Sequence, residues 1–223
     1  MKQLTCFFLL LWGLYGCKEK VKSESDKQYD QYVAYEKIYA GYGQLPSDST
    51  LLQIEQYLAD FPEDARAWSL LARLRYDRQE MTEAMAAYRK AITLNPRYTV
   101  GYAGLGSIFN QLDMNDSAAF YLKQAVALRD SSAYTFLNLA LLNMKTGHKA
   151  EALAYADSTI LTGDSSAAVF AGLSLVHHRL GEPATAAMLL QLAHELGLKD
   201  TLLFTEVLSG KMRIDSFYKK NGY

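Results

Sequence analysis

An all-α solenoid of stacked helix-turn-helix units is the fold this 223-residue sequence predicts, and three observations carry the prediction. Trp68, Tyr102, Phe136, Phe170 and Phe204 recur at a constant interval of 34 residues, the period of a two-helix repeat. Leu71, Leu105, Leu139, Leu173 and Val207 keep the same interval three residues later, and Ala84, Ala118, Ala152 and Ala186 keep it sixteen residues after each aromatic. Turn-forming residues fall between these sets, and no strand-like alternation competes with the helical spacing.

Taken in chain order, the first helix is expected over Asp30 to Tyr42, where Tyr32, Tyr35, Tyr39 and Tyr42 share one side at 100° per residue. Two readings of that stripe stand: packing against the first full repeat, or an aromatic binding surface that offers apolar area and hydroxyls together. A loop over Gly41 to Asp48 contains Gly43 and Pro46, and Leu51, Leu52, Ile54, Tyr57 and Leu58 then form an apolar stripe ending at Phe61-Pro62. Residues 30–64 thus read as a degenerate first unit.

Four full units follow, at 65–98, 99–132, 133–166 and 167–200. In each, the aromatic and the leucine at i+3 share a face of the first helix, and the alanines mark where the second helix must approach closely. Ala91, Ala125, Thr159 and Ala193 close the units. Gly147 and Gly181 stand between paired helices, where a C-terminus needs a positive φ that glycine adopts without steric cost. Asp113, Asn115 and Asp116 serve the equivalent turn one unit earlier, while Asp130-Ser131-Ser132 and Asp164-Ser165-Ser166 offer oxygens to cap the next helix. A fifth unit begins at Thr201 with Phe204 and Val207, and residues 201–223 are expected to cap the stack. The segment Asp215 to Tyr223 folds back or docks onto another chain, and the sequence leaves both open.

This pattern resembles the tetratricopeptide repeat, with Trp68, Leu71, Ala72, Ala84, Tyr88, Ala91 and Pro96 at the places the family signature fills. Asp130, Asp164 and Leu198 depart from the closing proline, and Leu122, Ala156 and Leu190 from the second aromatic. The resemblance implies a right-handed superhelix of about four full repeats whose first helices line a concave groove for a segment of another protein.

Residues 1–16 fall outside this scheme. Met1-Lys2 gives a short positive start, Leu4 to Gly16 is an apolar run too short to span a bilayer, and Cys17 follows Leu14-Tyr15-Gly16. The segment resembles a bacterial lipoprotein leader, which implies cleavage before Cys17, a thioether-linked diacylglycerol on its sulfur and a further N-acyl chain such as palmitate. An ordinary secretory leader or a buried first helix are the alternatives. Several chains anchor durably, since each buried methylene contributes roughly 0.8 kcal/mol. Residues 17–29, alternating Lys with Glu or Asp, are expected to remain a flexible tether reaching on the order of 20 Å. With Lys18 following the cysteine, the resemblance leans toward the outer membrane of the cell envelope, with its face undetermined.

Composition narrows the functional classes. The formal charge is −1, and loss of residues 1–16 removes only Lys2 among charged residues, leaving 22 basic and 24 acidic residues, a balance of −2. A near-neutral chain lacks the basic face a nucleic-acid binder needs. Cys6 lies in the leader and Cys17 at its end, so no thiol remains for a disulfide, a metal or nucleophilic attack. His148, His177, His178 and His194 form no ligand spacing, and no cofactor or metal is expected. Gly101, Gly104 and Gly106 faintly resemble a phosphate loop, but they lie within a first helix without a preceding strand, where close packing explains Gly106 better. No carboxylate pair is forced together, and no GxSxG elbow occurs.

Carrying the family's groove positions onto this chain gives Arg66, Ser69, Arg73, Tyr76 and Asp77, then Val100, Ala103, Ser107, Asn110 and Gln111. The third repeat gives Tyr134, Leu137, Asn138, Leu141, Met144 and Lys145, and the fourth Ala168, Ala171, Leu175, His178 and Arg179. Arg66, Arg73, Lys145 and Arg179 outnumber Asp77, so the expectation is an acidic or carboxylate-bearing segment, against the alternative of solvated faces with no ligand. The whole reads as a non-catalytic, membrane-anchored scaffold that gathers envelope proteins, for example in a secretion or pilus complex. Two alternatives stay open: an enzyme or accessory subunit with groove chemistry near His178 and Arg179, and capture of a small ligand by the aromatic N-terminal helix.

Overall fold

The computed structural model describes residues 23–44 and 47–198, and these form ten α-helices without a strand. The leader, Cys17, the loop residues Leu45 and Pro46, the cap expected from Thr201 and the tail from Asp215 lie outside the described residues. By its contacts the chain divides into two compact units, Met1–Gln53 and Ile54–Tyr223.

Helix α1 spans Glu24–Gly41, beginning six residues ahead of the expected start and inside the segment read as tether. The cause is a capping box. Ser23 Oγ accepts from the Asp26 N–H at 3.2 Å while Asp26 Oδ2 accepts from the Ser23 N–H at 3.0 Å, which satisfies helix-end donors that water would otherwise hold. Charge composition hid this local signal. The tyrosine stripe divides: Tyr35 is buried with Ile38, whereas Tyr32 and Tyr39 are 51% and 54% exposed. Helix α2, Ser47–Asp60, buries Ile54, Tyr57 and Leu58 but leaves Leu52 exposed, off the expected stripe.

In the second unit, first helices α3 (Ala65–Asp77), α5 (Thr99–Gln111), α7 (Ala133–Thr146) and α9 (Ala167–Leu180) alternate with second helices α4 (Met81–Leu94), α6 (Asn115–Ala127), α8 (Lys149–Leu161) and α10 (Pro183–Glu195). Each first helix packs mainly on the second helix that follows it, and successive first helices also touch one another. The periodic positions explain this. Leu71, Leu105, Leu139 and Leu173 are all buried, and Ala84, Ala118, Ala152 and Ala186 are wholly inaccessible. Each of these alanines faces a helix too close for a larger side chain, which is the close-packed geometry small residues permit. Thr159 fits among the closing alanines because its hydroxyl donates to Tyr155 O of its own helix at 2.9 Å.

The glycines within α5 are occupied by neighbours rather than open to a phosphate. A Cβ on Gly101 would stand 2.8 Å from Ile92 Cγ1, one on Gly104 2.2 Å from Tyr88 Cζ, and one on Gly106 2.5 Å from Leu122 Cγ. Turns between paired helices repeat one backbone state: Gln79, Asp113, Gly147 and Gly181, each 34 residues apart, have φ of 64°, 60°, 86° and 87°. The aspartates expected to cap helices act one step earlier. Asp130 Oδ1 accepts from the Ser132 N–H at 3.3 Å and Asp164 Oδ1 from the Ser166 N–H at 2.9 Å, while Ser132 and Ser166 make no side-chain cap bond. A carboxylate three residues ahead of the helix reaches the N-cap amide more readily than the amides inside the first turn.

Candidate functional site

Three first helices converge on one concavity of the second unit. Arg73, Tyr76 and Asp77 come from the C-terminal half of α3, Val100, Ala103, Gly104 and Ser107 from α5, and Tyr134, Thr135 and Asn138 from the N-terminal half of α7. Asp130 and Ser132 enter from the α6–α7 turn, Tyr88 from α4 and Ala168 from the start of α9, around a cavity of about 370 Å³. Helical spacing brings them together: positions three and four apart share a face, and each face advances by one repeat to the next first helix.

The floor is apolar and the walls are polar. The Tyr88 ring fills the space over Gly104, so this glycine opens the floor by letting the ring lie flat against backbone. Tyr76 hydrogen-bonds with Ser107 across the α3–α5 contact, and burial pushes its phenol above the ordinary tyrosine range against the opposing pull of Ser107 and Arg73. It therefore stays a hydrogen-bond donor at neutral pH. Arg73 stands 3.9 Å from Asp77 one turn along α3. Asp130 accepts from the Thr135 hydroxyl and the Ser132 N–H, and among the described residues no lysine or arginine pairs with it.

Of the groove residues expected from sequence, Arg73, Tyr76, Asp77, Val100, Ala103, Ser107, Tyr134, Asn138 and Ala168 meet at this cavity. Others are engaged elsewhere. Arg66 grips Asp64 through Nε at 3.2 Å and Nη2 at 2.8 Å, and the same carboxylate accepts from Tyr57 Oη at 2.7 Å. Burial opposes ionisation of Asp64, but Arg66 and Tyr57 together outweigh it and hold the carboxyl below its usual range. Ser69 is buried, and among the described residues its hydroxyl has no hydrogen-bond partner. Asn110 and Gln111 are buried at the end of α5, where Lys145 Nζ donates to Asn110 O at 3.2 Å and pairs with Asp113 at 2.5 Å. Leu137, Leu141, Met144, Ala171 and Leu175 belong to the core.

His178 and Arg179 lie in the last turn of α9, away from the cavity lining, and it is the neighbouring His177 that meets Glu182, at 2.7 Å. Among the described residues no three His, Cys, Asp or Glu side chains gather as a metal would require, and no helix is long and apolar enough to cross a membrane. The basis for an acidic ligand is reduced by these contacts: Arg66, Arg73 and Lys145 each meet an aspartate of this chain. Tyr88, Gly104, Asp130, Ser132 and Thr135 line the cavity without being groove positions in the sequence reading: Tyr88 fills a signature place, Gly104 belongs to the glycine set that faintly resembles a phosphate loop, Asp130 and Ser132 read as turn residues, and nothing in the sequence singles out Thr135. The cue for Asp130 was its place where the repeat otherwise closes with proline.

Comparison with known proteins agrees with this architecture. The tetratricopeptide repeat family model matches residues 51–99. No curated protein matches the sequence significantly. Among solved structures, the chain is similar to TTC0263, a thermophilic tetratricopeptide repeat protein of Thermus thermophilus, with a TM-score of 0.67 at 19% identity over 81% of this chain and 98% of that one. It is similar to PilW, a widely conserved type IV pilus biogenesis factor, with a TM-score of 0.65 at 17% identity over 84% of this chain and 90% of that one. YrrB, a repeat protein with an unusual peptide-binding site, gives a TM-score of 0.52 at 18% identity, covering 75% and 84%. At these identities the likeness shows the fold: an all-α solenoid of tetratricopeptide-type helix pairs.

Proposed function

We propose that this chain is a non-catalytic scaffold of the bacterial cell envelope, lipid-anchored through Cys17, that holds a segment of a partner protein in the cavity between α3, α5 and α7. The observation that carries the reading is the cavity itself, which combines an apolar floor with hydrogen-bonding walls from three successive repeats. Such a surface meets an extended polypeptide along its length, with the walls positioned by packed helices rather than loops. The peptide-binding site of YrrB and the pilus role of PilW support it by analogy of fold. A tether would hold the captured segment near the membrane, raising its effective concentration for assembly there.

A photocrosslinking side chain at Tyr134, which is 42% exposed in the cavity wall, tests the binding half in living cells. A discrete crosslinked partner is expected from Tyr134 and not from Leu153 on α8. Crosslinks only from Leu153, or none from either position, would remove the reading. For the anchor, Cys17→Ser is expected to abolish incorporation of an alkyne-labelled fatty acid and to release the protein from the membrane fraction; unchanged labelling would refute lipidation at Cys17.

A further inference from the structure

The charges that line the cavity do not cancel. Two carboxylates, Asp77 and Asp130, and one guanidinium, Arg73, line it, and that guanidinium stands beside Asp77. Asp130 is left with a hydroxyl and an amide donor but no cation among the described residues. Half-buried beside an apolar floor, its charge lies in a medium that strengthens a Coulomb attraction relative to bulk water. The floor of Tyr88, Val100 and Ala103 suits the aliphatic stem of a long side chain, and the exposed Tyr134 ring stands at the wall, where aromatic faces attract a cation.

We propose that the cavity selects a partner segment by a lysine or arginine side chain, seated on Asp130 with its stem along Tyr88 and Val100. Tyr76 and Asn138 then hydrogen-bond the flanking backbone of the segment. This rests on the scaffold reading above and names the chemistry of its ligand, with the sign opposite to the acidic segment expected from the sequence. The sequence-based count included Arg66 and Lys145, whose charges Asp64 and Asp113 take up, and it omitted Asp130.

Pools of extended nonapeptides, randomised except for a central Lys or Arg, Glu or Asp, or Gln, are the probe, offered to the detergent-solubilised full chain. The basic pool is expected to be retained about tenfold over the acidic pool, a ratio worth about 1.4 kcal/mol. Asp130→Asn should erase that preference and Asp130→Lys reverse it, while Asp157→Asn on the exposed side of α8 leaves it intact. Circular dichroism establishes that each variant is folded. Should the Asp130 variants unfold, raising salt from about 0.05 to about 0.5 M must collapse the preference of the unmodified chain. Preference for the acidic pool, a basic preference indifferent to folded Asp130→Asn or to salt, or equal retention of all pools would overturn the proposal. The Tyr134 crosslink decides separately whether the cavity binds a partner at all.

Discussion

At the scale of single residues, a ring and the carbonyl six positions before it change together along the chain. Trp68 Nε1 donates to Pro62 O at 2.8 Å and Tyr102 Oη to Pro96 O at 3.1 Å. Phe136 and Phe170, which carry no donor, stand six residues after Asp130 and Asp164 in place of proline. The aspartates order the turn through their own side chains, so the ring is released from that task. Asp64 has a comparable role for α3, since it caps the helix through the Arg66 N–H at 3.0 Å while holding Tyr57 and the Arg66 guanidinium. Asp64→Ala is expected to cost about 2 kcal/mol in urea unfolding, by loss of the cap and of buried partners. The folded carboxyl titrates below its ordinary value, so its contribution is present above the unfolded pKa of about 3.9 and is lost as pH falls through the folded pKa. Unfolding midpoints should therefore drop below about pH 4, and less steeply in Asp64→Asn; equal slopes would contradict the assignment. Gly104→Ala should destabilise by about 1–3 kcal/mol despite the helix propensity gained, because the added methyl collides with the Tyr88 ring.

Among the elements, the turns show how one backbone requirement is met by different residues. The turn after α3 uses Gln79 and the turn after α5 uses Asp113 at a positive φ that the later pairs give to Gly147 and Gly181. The turn between α6 and α7 uses Arg129 at φ 74°, where the next repeat has Gly163 at 75°. A non-glycine residue there pays a steric cost of roughly 1 kcal/mol. Arg129→Gly is thus expected to raise stability by about 0.5–1 kcal/mol, and Gly147→Ala to lower it by about 1 kcal/mol, both measured by urea unfolding. Opposite signs would show that side-chain contacts outweigh the dihedral term. Pairing within a unit also uses polar links: the buried Ser174 hydroxyl of α9 donates to Ala186 O of α10 at 2.7 Å. Ser174→Val should loosen that pair by about 1 kcal/mol by removing this inter-helix hydrogen bond, while Ala186 O, inside α10, keeps the N–H of its own helix.

For the second unit as a whole, stability is a sum of helix pairs and the interfaces between neighbours. The apolar cluster over α7–α10, from Leu137 and Leu141 to Leu173, Val176 and Leu189, is continuous across a repeat boundary, as such stacking requires. Pairs α5–α6 and α7–α8 have a described repeat on either side. Their amides should exchange most slowly with deuterium, and those of α3 and α10 faster; uniform protection would mean the unit unfolds only as a block.

Helix content, the 34-residue period, the small-residue contacts and the glycine turns at Gly147 and Gly181 could be read from the chain, because each depends on local spacing or on one residue's backbone freedom. The early start of α1 was written there too, in Ser23 and Asp26, but composition masked it. The sign of the charge in the cavity was decided only in three dimensions. Which cations stay available depends on whether Asp64, Asp77 and Asp113 come within a few ångströms of Arg66, Arg73 and Lys145. For Lys145 and Asp113 that distance is set by helix packing between repeats rather than by neighbours in sequence. Asp130 reads as a turn former along the chain and becomes part of the cavity wall because α3, α5 and α7 bring their faces around it.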